Sequence, residues 1–130
     1  MRLYLVRHAE AAPGEPDALR PLTAQGRDQA RALGLRLLAE EARPTTVLTS
    51  PLLRARETGD ELARALDVDT EPDDRLAPGA GVEEIRAAVE GHGEQVVVVG
   101  HQPDCGRIAA ALTGSEPRFP PAGVAVLELD

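Results

Sequence analysis

The chain has 130 residues, enough for a single domain (1–130) with a buried core. Its net charge of −8 argues against a general binder of nucleic-acid backbones, and with Tyr4 and Phe119 as the only aromatics it lacks stacking platforms for single strands. All 14 basic residues are arginine and there is one cysteine, which excludes Schiff-base chemistry, a lysine-dependent P-loop, an intrachain disulfide and a cysteine-rich zinc site.

The first predicted element is a strand over Leu3-Tyr4-Leu5-Val6, rich in β-formers and followed at once by Arg7-His8. Residues 9–21 read as a loop punctuated by Pro13, Gly14, Pro16 and Pro21. Thr23 is the expected N-cap of a helix of about five turns. Ala30, Leu33, Gly34, Leu37 and Leu38 form its apolar face, and Pro44 stops it. Thr45 to Thr49 follows as a strand, and Ser50-Pro51 opens a second helix with Ala55, Gly59, Leu62, Ala63 and Leu66 on one side.

The acidic stretch 67–81 predicts only a short strand near Arg75-Leu76. Val82, Ile85 and Val89 mark a short helix ended by Gly91-His92-Gly93. A strand over Gln95 to Val99 precedes Gly100-His101. A helix with Cys105, Ile108, Ala109 and Leu112 inward and a last strand, Gly123 to Leu129, complete the chain. This alternation implies an α/β fold, a three-layer α/β/α sandwich with a mostly parallel central sheet. No secretory leader or membrane-spanning run is visible, so a cytoplasmic protein without membrane or nucleic-acid partners is expected.

The chemistry gathers at strand ends. Parallel strands present their carboxyl ends at one edge, where α/β proteins bind ligands. Arg7 and His8 end the first strand, Ser50 ends the second with Arg54 one turn beyond, and His101 ends the late strand. Two histidines and two arginines on one edge are hard to attribute to packing. Arg7 and Arg54 suit a tetrahedral oxyanion, because each guanidinium offers a planar fork of donors. Gln102-Pro103 starts a helix, so Gln102 joins the expected phosphate-binding set, with N–H groups near residues 101–105 assisting.

The alternatives are weaker. His8, Glu10, His101, Asp104 and Cys105 have metal-ligand chemistry, but two adjacent arginines oppose a dication and the spacing fits no standard site, so no metal or other cofactor is expected. Cys105 belongs to an apolar helix face, and Ala111 stands where a cysteine phosphatase needs arginine. No G-x-S-x-G elbow occurs. His92 reads as a turn residue, and Arg56, Arg64 and Arg86 as ordinary ion-pair partners. The sequence does not place Arg20, Arg27 or the acidic loop 10–17 relative to the crevice.

Four ordered motifs carry a family resemblance: Arg7-His8-Ala9-Glu10; Pro21-Leu22-Thr23 with Gly26 and Ala30; Ser50-Pro51-Leu52-Leu53-Arg54-Ala55 with Thr58; and Gly100-His101. Over nearly its whole length the chain resembles the histidine phosphatase superfamily of phosphoglycerate mutase-like fold, most of all its SixA-type phosphohistidine phosphatases. The resemblance implies that His8 takes the phosphoryl group on a ring nitrogen, that Arg7, Arg54 and His101 complete the pocket, and that water then releases phosphate without a metal. General chemistry agrees, since phosphoryl transfer needs positioning and charge stabilisation above all.

One departure is informative. Larger family members carry a carboxylic acid for the leaving alkoxide in the region that is here Arg75 to Glu84. Glu83 and Glu84 are candidates, but carboxylates at a helix start commonly serve the helix itself. An imidazole leaving group needs less protonation than an alkoxide. The missing acid and the short chain, with no lid insertion, therefore favour phosphohistidine on a partner protein. A phosphatase of a small phosphomonoester and a non-catalytic phosphate-binding module are the alternatives.

Overall fold

The computed structural model describes all residues, 1–130, as a five-stranded sheet between two pairs of helices. The strands are β1 (Arg2–Arg7), β2 (Thr46–Thr49), β3 (Asp69–Pro72), β4 (Gln95–Gly100) and β5 (Val124–Glu128), in the spatial order β3-β2-β4-β1-β5. All neighbours are parallel except β5, which runs antiparallel to β1 at one edge. The helices are α1 (Ala24–Ala39), α2 (Leu53–Leu66), α3 (Val82–Val89) and α4 (Asp104–Thr113).

Alternation along the central strands divides the core in two. Leu3, Leu5, Leu48, Val96 and Val98 face α3 and α4, meeting Ile85, Val89 and Ile108. Tyr4, Val6, Val47, Val97 and Val99 face α1 and α2, meeting Leu33, Leu37 and Leu62. Strands buried on both faces lose the polar alternation of a half-exposed strand, which is why β4 reads as four consecutive valines. The connections β1-α1-β2 and β2-α2-β3 step toward one edge, whereas β3-α3-β4 steps back. Right-handed crossovers running in opposite directions put their helices on opposite faces. The carboxyl ends of β1, β4 and β2 thus lie side by side at the reversal.

Local chemistry sets the boundaries. Thr23 caps α1, its side chain accepting from the Gly26 N–H at 2.9 Å. The helix stops at Ala39, before it reaches Pro44, and Glu41 takes a left-handed conformation (φ 63°). Leu38, expected on the inner face, is 45% exposed. Helix α2 begins at Leu53 rather than at Ser50-Pro51, because the Ser50 hydroxyl accepts the Leu52 N–H and holds residues 50–52 as a turn.

The strand expected near Arg75-Leu76 lies instead at Asp69–Pro72, and residues 74–76 form a 3₁₀ turn capped by Asp73. As a largely exposed edge strand, β3 has no buried face to leave an apolar pattern, and Pro72 at its end suits an edge.

Candidate active site

The sheet brings the predicted residues together. Arg7 pairs in register with Gly100, and the His8 N–H continues onto the Gly100 carbonyl at 3.0 Å, so His8 and His101 leave adjacent strands side by side. Their rings stand edge to face, centroids 5.2 Å apart. Ser50, at the end of β2, reaches His101 Nε2 with its hydroxyl at 2.7 Å.

Each ring is held through one nitrogen. His8 Nδ1 lies 2.7 Å from the Ala9 carbonyl, which can only accept, so the proton sits on Nδ1 and the lone pair on Nε2. Burial lowers the His8 pKa to about 4 against a smaller opposing pull from that carbonyl, and the charges of Arg54, Arg7 and Arg20 add to the fall. Burial likewise lowers His101 to about 4, helped by His8 and Arg54. Both imidazoles are therefore neutral near pH 7, the state a nucleophilic nitrogen needs.

The two guanidiniums differ in their commitments. Arg7 donates from Nη1 to the Phe119 carbonyl at 2.9 Å, while its Nε is buried without a protein partner. An unpaired buried donor is costly, so Arg7 holds unspent hydrogen-bonding capacity beside His8. Arg54 is 7% exposed in the first turn of α2. Its Nη1 donates to the Asp17 carbonyl at 2.9 Å and its Nη2 to the Asp17 carboxylate at 3.2 Å. Arg20 takes the other Asp17 oxygen at 3.1 Å, and the bonds from Arg20 and Arg54 hold the Asp17 carboxyl below its usual range. The loop that the sequence left unplaced thus borders the site through Asp17 and Arg20, whereas Arg27 turns to Glu57.

Other expected residues lie elsewhere. Glu84 accepts the Gly81 N–H as part of the α3 cap, and Glu83 is a solvent-facing partner of Arg86. Neither has a hydrogen bond or ion pair to the histidine–arginine group. The Gln102 side-chain oxygen accepts the Gly106 N–H at 2.8 Å, and the Cys105 N–H bonds back to the His101 carbonyl. The start of α4 is consequently closed by its own residues at these two N–H groups, and what Gln102 keeps for a ligand is its amide NH₂. Glu10 accepts from Thr23, Asp104 from Gly79, and Cys105 is a buried thiol pushed up to about 12 by desolvation. His92 sits in its turn near Glu71.

A sequence model described as the histidine phosphatase superfamily (branch 1) matches residues 3–78, more than half of the chain, including Arg7, His8 and Arg54. The chain belongs to the histidine phosphatase superfamily. The phosphohistidine phosphatase SixA of Escherichia coli (strain K12) is 30% identical, over all of this chain and 86% of that protein. An uncharacterized protein of Picosynechococcus sp. (strain ATCC 27264 / PCC 7002 / PR-6) is 35% identical, over 95% of this chain and 82% of its own. Among solved structures, the protein histidine phosphatase SixA complexed with tungstate superposes with a TM-score of 0.89 at 31% identity, covering 100% of this chain and 89% of that one. The protein is a phosphatase of SixA type with the phosphoglycerate mutase-like fold.

Within this histidine phosphatase, side chains that sequence reading did not single out for the site complete its frame. Thr58 accepts the Ala9 N–H at 3.0 Å and donates to the Arg54 carbonyl at 2.8 Å, tying the His8 loop to the helix of Arg54. Gln29 accepts the Glu10 N–H at 2.9 Å. Thr58 was legible as a motif position only; Asp17 and Gln29 carry no local signal. No helix is long and apolar enough to cross a membrane.

Proposed function

We propose that the protein removes the phosphoryl group from phosphohistidine on a partner protein, in the cytoplasm, by way of a phosphorylated His8. What carries this reading is the fixed tautomer of His8: with Nδ1–H tied to the Ala9 carbonyl, Nε2 offers its lone pair among three further cationic or polar side chains, Arg7, Arg54 and His101. The Nε2 lone pair forms a bond to phosphorus as the P–N bond of the substrate breaks, and the departing imidazole leaves with its electron pair and takes a proton. Water next attacks the phosphorus, the His8–phosphorus bond breaks, and inorganic phosphate departs. Arg7 and Arg54, whose charges already act on His8, balance charge on the transferring oxygens. The amide NH₂ of Gln102 is the remaining candidate donor to phosphate.

The leaving group supports phosphohistidine over a phosphomonoester. Asp17, the carboxylate hydrogen-bonded to Arg54, is held ionised by Arg20 and Arg54 and is thus a poor proton donor. An imidazole tolerates that lack better than an alkoxide. Single-turnover mixing with a phosphohistidine-carrying protein should leave acid-labile phosphate on the wild-type chain and none on His8→Ala. Normal turnover by His8→Ala overturns the mechanism. A higher kcat/KM on small phosphomonoesters than on phosphohistidine moves the substrate to the metabolite class, and phosphate binding without any turnover reduces the protein to a binding module.

A further inference from the structure

We propose that Gln29 is a positioning residue for His8: its side-chain oxygen holds the one peptide whose carbonyl takes the Nδ1 proton of the nucleophile. The inference rests on the nucleophilic role of His8 proposed above. The peptide in question joins Ala9 to Glu10. Its carbonyl accepts from His8 Nδ1 at 2.7 Å, and its N–H donates to Gln29 Oε1 at 2.9 Å. A backbone N–H can only donate, so Gln29 must turn its oxygen toward it. The peptide is planar, so the two ends move as one body.

The neighbouring peptides are held by other means. The Ala9 N–H, in the peptide before, bonds to Thr58 Oγ1 at 3.0 Å. The Glu10 carbonyl, in the peptide after, accepts the Thr23 N–H at 3.0 Å. Only the middle peptide depends on a side chain from the body of α1. Gln29 is half-buried on the same side of that helix as Gly26 and Ala30, with Thr23 and Gly26 pressing the first turn against Glu10.

Two consequences follow from the bond. Donating the Glu10 N–H polarises the peptide and makes its carbonyl a stronger acceptor for His8. It also stops the peptide from turning. Without Gln29, a part-buried N–H loses its partner, the carbonyl is free to rotate away, and the imidazole can shift its proton to Nε2. A protonated Nε2 has no lone pair with which to attack phosphorus. Gln29 thus acts on the reaction through the tautomer of His8 and touches no reacting atom.

The test compares the full wild-type chain with Gln29→Met, which keeps the length and removes the acceptor, and Gln29→Glu, which keeps an acceptor. Nitrogen-15 NMR of the His8 ring at neutral pH reads the tautomer directly. Wild type and Gln29→Glu should carry the proton on Nδ1, and Gln29→Met should show a population protonated on Nε2. Phosphorylation of His8 by phosphoramidate in a single turnover should slow by about tenfold or more in Gln29→Met, the rate effect of leaving one part-buried donor without its partner.

A wild-type tautomer in folded Gln29→Met overturns the proposal. Loss of the Nδ1–H tautomer in Gln29→Glu overturns it too, and that arm decides the matter if the methionine variant fails to fold. Should wild type never accept phosphate on His8, the phosphatase reading fails, while the NMR comparison still judges Gln29.

Discussion

Asp17 grips Arg54 twice, with its main-chain carbonyl at 2.9 Å from Nη1 and its carboxylate at 3.2 Å from Nη2. A loop acid thereby occupies donors that a phosphoryl group needs. The carboxylate is largely exposed and can swing away, whereas the guanidinium is buried and fixed. An incoming dianion therefore competes with an internal anion for the same fork. Replacing Asp17 by Asn keeps the carbonyl contact and removes the competing charge. Inorganic phosphate should inhibit Asp17→Asn about three- to tenfold more tightly, a modest change because exposed pairs are weak. Inhibition constants at fixed ionic strength check this, and weaker inhibition would mean that Asp17 orients Arg54 for the ligand.

Acid should act on the site in a definite window. Both histidines have pKa values near 4 in the folded protein and an ordinary value of 6.5 once unfolded. Between those values the unfolded chain binds protons that the folded chain does not, so stability is complete above pH 6.5 and is lost as the pH falls toward 4. Melting temperatures recorded across that range should decline, and the decline should flatten in a His8→Ala, His101→Ala double variant. An NMR titration of His8 with a midpoint near 6.5 contradicts the buried, neutral imidazole.

Gly26 shows contact overriding propensity. In the body of a helix, alanine is favoured over glycine by about 1 kcal/mol. A Cβ at Gly26 would lie 2.1 Å from the Glu10 carbonyl oxygen, which is backbone and cannot give way cheaply. Overpacking of this kind costs about 1–3 kcal/mol. Gly26→Ala should lower stability in urea melts and slow His8 phosphorylation, since it pushes on the loop that orients the ring.

Ser50 and His101 form a buried pair, 2.7 Å between Oγ and Nε2. Ser50→Ala removes the only side-chain partner of that nitrogen, at a cost of about 1–3 kcal/mol for the group left unsatisfied. The variant should fold, bind phosphate more weakly and lose kcat. Unchanged kcat with an intact fold would show that His101 keeps its orientation by packing alone.

Cys105 is a structural thiol. It lies against Ile108 and Ala109 in the core, its Sγ 3.8 Å from the Val6 carbonyl, and desolvation pushes it up to about 12. Iodoacetamide should leave the native chain unmodified at pH 8 and react only after denaturation. Cys105→Ala should keep its activity and lose stability through the small cavity it leaves, by roughly 1–2 kcal/mol.

The sequence by itself determined the elements that leave an unbroken apolar run or an apolar period. Leu3 to Val6 and Val96 to Val99 mark strands, because residues buried on both faces of a sheet must all be apolar. Ala30, Leu33 and Leu37 mark α1, because a helix turned toward a sheet repeats every third or fourth residue. Motifs at the strand ends then placed Arg7, His8, Arg54 and His101 on one edge. Edge strand β3 escaped, since exposed polar residues carry no such period.

Tertiary structure alone decided which polar groups meet. Asp17 reaches Arg54 across 37 positions, and Glu10 reaches Gln29 across 19. A hydrogen bond needs one donor and one acceptor within about 3 Å, and it leaves no repeat along the chain to announce it. The same glutamine on another face of α1 would be an ordinary surface residue; here it stands beside the peptide that sets the proton of His8.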